Sequence, residues 1–113
     1  MLEVPHGSKF VVPSGDESAL AVAVSMTPVF ALVDASHPSF QFYTSGIYDD
    51  PDCSQTVLDH VLLVVGFGTS DEGEEYWICQ NSWGVSWGMQ GYILLARNKG
   101  NRCGLATHAS YPY

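Results

Sequence analysis

The longest nearly continuous apolar stretch, residues 19–35, divides at Thr27-Pro28 into two pieces of different character. In the first, Ala19, Leu20, Ala21, Val22, Ala23 and Val24 are apolar nearly all round, the pattern of a short packed helix. Ser14-Gly15-Asp16-Glu17 just ahead of it has the form of a capping box, the Ser14 hydroxyl accepting from the Glu17 amide while the Glu17 carboxylate reaches back. Pro28 disfavours helical geometry in the residue before it and ends the helix. Residues 29–33 read as a buried strand and residues 35–39, which contain His37-Pro38, as a turn. Phe40, Phe42 and Tyr43 read as core or interface aromatics. Residues 60–67 form a second strand, 76–80 a third and 91–97 a fourth. Between them lie an acidic loop at 49–56 and a polar loop at 69–75 whose carboxylates, Asp71, Glu72, Glu74 and Glu75, are expected in solvent. Residues 1–13 form an extended lead-in closed by Pro13. Several short strands after one N-terminal helix, with connections too short for helical crossovers, predict an α+β chain built on a β-rich antiparallel sheet or open barrel.

Composition narrows the function. A chain of 113 residues that is 46% hydrophobic is one domain with one core. Twelve acidic against four basic residues leave a formal charge of -8, which argues against nucleic acid or an anionic membrane as a partner. The start, Met1-Leu2-Glu3-Val4-Pro5-His6, lacks the basic and apolar regions of a secretory signal. The 19–35 run is interrupted by Ser25, Thr27, Pro28 and Asp34 and falls short of the roughly 20 residues that span a bilayer, so a soluble chain is expected. Three cysteines permit at most one internal disulfide.

The chemistry is concentrated between Tyr76 and Gly91. An apolar strand delivers an amide, Asn81, into a loop that carries Trp83 and Trp87 among glycines 84, 88 and 91. Two indoles can shield a hydrogen bond from water, where it is electrostatically stronger. The upstream partner for such an amide is His60, at the entrance of a buried-looking strand. Taken singly, His60 also reads as a satisfied core or surface histidine, Asn81 as a turn residue, and the indoles as core. Asp59, His60 and Cys79 lack the paired spacing of a zinc site, and Gly66-Phe67-Gly68 has neither the lysine nor the helix start of a phosphate loop. No metal or cofactor is expected.

The ordered set Val33-Asp34-Ala35-Ser36-His37-Pro38-Ser39-Phe40-Gln41-Phe42-Tyr43, Ser45-Gly46-Ile47-Tyr48, Pro51-Asp52-Cys53, Leu58-Asp59-His60, Gln80-Asn81-Ser82-Trp83-Gly84, Trp87-Gly88, Gly91-Tyr92-Ile93, Cys103-Gly104-Leu105-Ala106 and Ser110-Tyr111-Pro112 resembles the C-terminal half of papain-family cysteine proteases, most closely the cathepsin L group. The resemblance implies that residues 1–113 form the right-hand half-domain of the papain-like fold. The missing N-terminal half-domain would be the partner that supplies the nucleophilic cysteine and the oxyanion-hole glutamine. It implies a cysteine-type endopeptidase acting on peptide or protein substrates through a thioester acyl-enzyme, with His60 as general acid and base, Asn81 orienting its ring, and Trp83 and Trp87 in support. It also pairs Cys53 with Cys103, leaving Cys79 free, and assigns Leu32, Leu58, Asp59, Val61 and His108 to a substrate pocket. Leu32, Val61 and His108 are bulkier or more polar than the family's usual residues, so a narrowed pocket is expected. A lysosomal or secreted setting is implied as well. Cys79, with no helix N-terminus or cation beside it, reads as structural, so the chain alone is expected to be inactive. The competing reading is a truncated, non-catalytic relative that binds peptides or a protease partner.

Overall fold

Thr27-Pro28 does end the first helix: α1 spans Glu17–Met26, and Thr27 is extended at φ -161°, ψ 153°. In the computed structural model, which describes residues 9–112, α1 begins later than a cap at Ser14 would place it. Its N-cap is Asp16, whose Oδ1 accepts from the Ala19 amide at 2.9 Å. The reason lies in the preceding turn: the Asp16 amide donates to the Pro13 carbonyl, and Gly15 is left-handed at φ +79°, a conformation no helix passes through. Glu17 therefore does not close a capping box. Its carboxylate accepts from Trp77 Nε1 and from the Asn98 and Asn101 backbone amides, each at 3.0 Å, tying α1 to β5 and to the segment that follows β6.

The strands are β1 (Lys9–Val11), β2 (Val29–Val33), β3 (Ile47–Tyr48), β4 (His60–Thr69), β5 (Glu75–Gln80), β6 (Tyr92–Ala96) and β7 (Ala109–Pro112), joined in one sheet in the order β1-β7-β2-β4-β5-β6-β3. Of the lead-in expected over residues 1–13, residues 1–8 lie outside the described residues, and β1 follows directly. The sheet is antiparallel as expected except at its β3 edge, where Ile47 and Tyr48 pair parallel with Leu94 and Leu95. A two-residue strand leaves no periodicity to read, so the sequence pattern missed it. The turn expected at 35–39 runs into a second, short helix, α2 (Pro38–Gln41), with proline at its first position, where a missing N–H costs nothing.

The β2–β4 ladder sets the geometry of the site. Val33 is paired with His60, so the segment 34–59, which carries α2 and β3, leaves and returns at one end of the sheet. One sheet face packs into the core: Val29, Ala31 and Val33 of β2, Leu62 and Val64 of β4, Trp77 and Cys79 of β5, and Ile93 and Leu95 of β6 are buried, with Leu20, Ala23 and Val24 of α1 laid over them. A bulge at Val65 lets β4 shift register between Val64 and Gly66. Cys53 and Cys103 form a disulfide across 50 residues, tying the 34–59 excursion to the turn at Arg102–Gly104. Among the described residues no helix is long and apolar enough to cross a membrane.

Candidate functional site

His60 opens β4, and Asn81 lies just beyond the last residue of β5; the ladder between Leu63 and Gln80 brings the two together. His60 Nε2 and Asn81 Oδ1 are 2.6 Å apart. The orientation of the amide is fixed independently, because the Ser82 amide donates to the same Oδ1 at 2.8 Å. An amide oxygen carries no hydrogen and can only accept, so Nε2 carries a proton and Nδ1 is the nitrogen left for a second partner. Asn81 is 7% exposed, its backbone N–H donates to the Gly91 carbonyl at 2.9 Å, and its Nδ2 is buried without an acceptor among the described residues.

Aromatic rings enclose this pair. Trp83 lies 4.8 Å from the imidazole, ring to ring, and itself remains partly exposed. Phe40, fully buried in α2, meets His60 edge-on at 6.2 Å and Trp83 edge-on at 5.5 Å. Trp87 packs 5.3 Å from Phe40 and 5.4 Å from Trp83, and its Nε1 donates to the carbonyls of Phe40 and Gln41. The loop that presents these indoles turns on Gly88, left-handed at φ +60°, where a Cβ would stand 2.6 Å from the Tyr92 carbonyl oxygen. The imidazole is thus fixed at one nitrogen and shielded on its flank, and its other nitrogen has no hydrogen-bond partner among the described residues.

Beside it, a cleft of about 370 Å³ is lined by Val11, Phe30, Leu32, Val61, His108 and Ser110, with Ala31 and Ala109 at its base. Leu32, Val61 and His108 therefore converge. Leu58 and Asp59 do not line it. Leu58 packs against Gly104, where an added Cβ would approach its Cδ2 to 2.6 Å, and Asp59 Oδ1 accepts from the Ala35 amide at 2.8 Å. The sequence reading missed Phe30, which is paired with Leu63 and alternates outward with Leu32 on β2. The signal was the period-2 alternation of a strand with one open face, hidden because every residue of 29–33 is apolar.

Cys79 is the one free cysteine among the described residues; it is fully buried, and burial pushes its thiol well above the ordinary range. Buried and protonated, it is inert as a nucleophile. Among the described residues no three His, Cys, Asp or Glu side chains converge on a point.

The family model for papain family cysteine proteases matches residues 4–113. A cathepsin L-like peptidase of Aedes aegypti is 56% identical over 102 residues, covering 89% of this chain and 30% of that protein. Procathepsin L of Rattus norvegicus is 48% identical over 113 residues, covering 96% of this chain and 34% of that protein. The chain thus spans about a third of the length of these relatives. Among solved structures, digestive procathepsin L 3 of the Tenebrio molitor larval midgut superposes with a TM-score of 0.88 at 47% identity, covering 93% of this chain and 34% of that one. The bromelain protease from Ananas comosus in complex with the E64 inhibitor superposes at 0.86 and 39% identity, over 92% of this chain and 48% of that one. A seven-stranded sheet of this topology, matched in sequence over 110 residues, places the chain in the papain family of cysteine proteases, as a cathepsin L-like C-terminal portion of that fold.

Proposed function

We propose that this chain supplies the imidazole half of a cysteine-endopeptidase site, with His60 as general acid and base and Asn81 as the group that orients it. The observation that carries this reading is the 2.6 Å contact from His60 Nε2 to Asn81 Oδ1 beneath Trp83, with Nδ1 unpartnered among the described residues. A neutral amide suits a resting thiolate–imidazolium pair, because it fixes the ring without bringing a second negative charge. The thiolate must come from elsewhere, since Cys53 and Cys103 are bonded to each other and Cys79 is sealed in the core. Its source is an N-terminal papain-like half-domain, which also supplies the oxyanion hole and covers the outward face of β2 and β4, where Phe30 and Val61 are each about half exposed. In the completed site His60 Nδ1 holds the thiolate as an ion pair. The thiolate attacks the peptide carbonyl, His60 gives its proton to the departing amine, and it then takes one from the water that hydrolyses the thioester. The setting is lysosomal or secreted, as the cathepsin L relationship suggests.

The test is intact mass after incubation with an epoxide probe of cathepsin-type thiols, with and without a separately made N-terminal half. Label confined to the added half, and dependent on His60, is expected. Label on Cys79 of this chain alone overturns the proposal.

The cleft beside His60 receives an apolar substrate side chain, and His108 in its lining narrows the choice. In the reassembled enzyme, His108→Ala is expected to admit bulkier substrate side chains there; an unchanged peptide preference removes His108 from that role.

A further inference from the structure

One buried carboxylate has no part in the chemistry above. Asp34 follows the last residue of β2 at 3% exposure, yet it accepts four contacts: the Ser36 hydroxyl at 2.5 Å and amide at 3.0 Å, the Ser54 amide at 2.7 Å, and His37 Nε2 at 3.2 Å. Its own amide donates to the Cys103 carbonyl at 3.1 Å. Burial alone would raise its carboxyl; the bonds from the Ser36 hydroxyl and from the Ser54 and Ser36 amides, with His37 alongside, outweigh burial and hold it below the ordinary carboxylate value. Other ionisable groups nearby include Tyr48 and Asp50, linked to each other through the Ser39 hydroxyl, and Asp59, which accepts from the Ala35 amide.

The positions on either side of Asp34 lead to the site by two routes. Val33 is the ladder partner of His60 and Ala35 is bonded to Asp59, so the backbone flanking Asp34 is clamped to the backbone that launches the imidazole. Ser36 and His37 lead into α2, whose Phe40 touches the rings of His60, Trp83 and Trp87. Resting on the assignment of His60 as the acid and base, we propose that Asp34 is a positioning residue: by locking the junction of β2 and α2 it holds Phe40 against His60, keeping Nε2 on Asn81 and Nδ1 turned toward the thiolate.

The consequence is specific to geometry. Loss of a merely stabilising contact lowers the melting temperature but leaves the imidazole in its native surroundings in every molecule still folded. Loss of a positioning contact changes those surroundings in the folded molecules. The test is NMR on the full chain, read below the melting transition, following the nuclear Overhauser contacts of the His60 ring with Phe40 and Trp83 in Asp34→Asn and in Ser36→Ala. Asp34→Asn keeps the shape of the side chain and discharges it; Ser36→Ala removes one hydroxyl and serves where the first variant does not fold. Loss of the His60–Phe40 contact, with a displaced His60 titration curve, is the expected result. Folded variants with native contacts and a native curve overturn the proposal. No second chain or substrate enters the measurement, so its failure is distinct from failure of the endopeptidase reading, which the labelling experiment decides.

Discussion

His60 owes its character to what its two nitrogens meet. Nε2 is committed to an oxygen that also receives the Ser82 amide, so the bond cannot be lost by a simple flip of the Asn81 amide without leaving Ser82 unpaired. The cost of removing Asn81 is therefore orientational more than thermodynamic: the ring gains freedom between Trp83 and Phe40 and spends less time aligned for proton transfer. In the reassembled enzyme, Asn81→Ala is expected to lower kcat by about 100-fold, the order associated with misplacing a catalytic group by an ångström, while leaving KM nearly unchanged because Asn81 lies outside the cleft that would bind substrate. Steady-state kinetics against a peptide substrate checks the split. A change confined to KM would place Asn81 in binding and not in orientation. This pair was legible in the sequence because Asn81 arrives with glycines and indoles around it, residue types that a plain core loop does not need together. Asp34 was not legible. A single aspartate after an apolar strand reads as the beginning of a turn, and only the return of residue 54 to the same place reveals a buried hub.

Elements were readable where a period or a stop signal existed, and unreadable where a tertiary contact decided the boundary. The strands at β2, β4, β5 and β6 announce themselves by apolar runs between polar loops, and Pro28 ends α1 by its own sterics. The start of α1 is different. Ser14 and Glu17 have the spacing of a capping box, but Gly15 turns left-handed, Asp16 takes over the cap, and Glu17 is drawn away by Trp77, Asn98 and Asn101, partners 60 or more residues distant. Local sequence carries no signal for those partners. The two readings predict different stabilities. Ser14 is exposed and is not the N-cap, so Ser14→Ala is expected to change unfolding free energy by no more than about 0.5 kcal/mol. Glu17→Ala removes acceptors from a buried indole and two amides and is expected to cost about 2 kcal/mol. Urea unfolding of the two variants measures both. A capping-box helix would give a cost of about 1 kcal/mol at Ser14 instead.

The pH dependence of the whole molecule is set by carboxylates that the fold favours charged and by a thiol and phenols that it favours neutral. Asp34 and Asp50 are held below their ordinary values by hydrogen bonds; for Asp50 the Ser39 hydroxyl dominates, then the Asp52 amide. A carboxyl lowered in the folded state stabilises it above the unfolded value of about 3.9, and that contribution disappears as pH falls through the folded value. Cys79, Tyr43 and Tyr48 are shifted the other way, chiefly by burial. Their contribution is present below the unfolded values, about 8.5 for a thiol and 10 for a phenol, and fades as pH rises past them. The Cys53–Cys103 bond, closing 50 residues, adds a contribution of about 4 kcal/mol that does not depend on protonation while it stays oxidised. Stability is therefore expected to form a plateau between about pH 5 and 8, with an acid limb due mainly to Asp34 and an alkaline limb due first to Cys79. Urea unfolding across pH, with the disulfide intact, tests this assignment by variant. Asp34→Asn is expected to lower the plateau and make the acid limb shallower, since Asp50 is then the one of these two carboxyls left to protonate. Cys79→Ala is expected to lower the plateau through the cavity it leaves and flatten the alkaline limb below about pH 10, where tyrosine ionisation takes over. An acid limb equally steep in Asp34→Asn would move the acid-sensitive contact to Asp50, which accepts from Ser39 of α2.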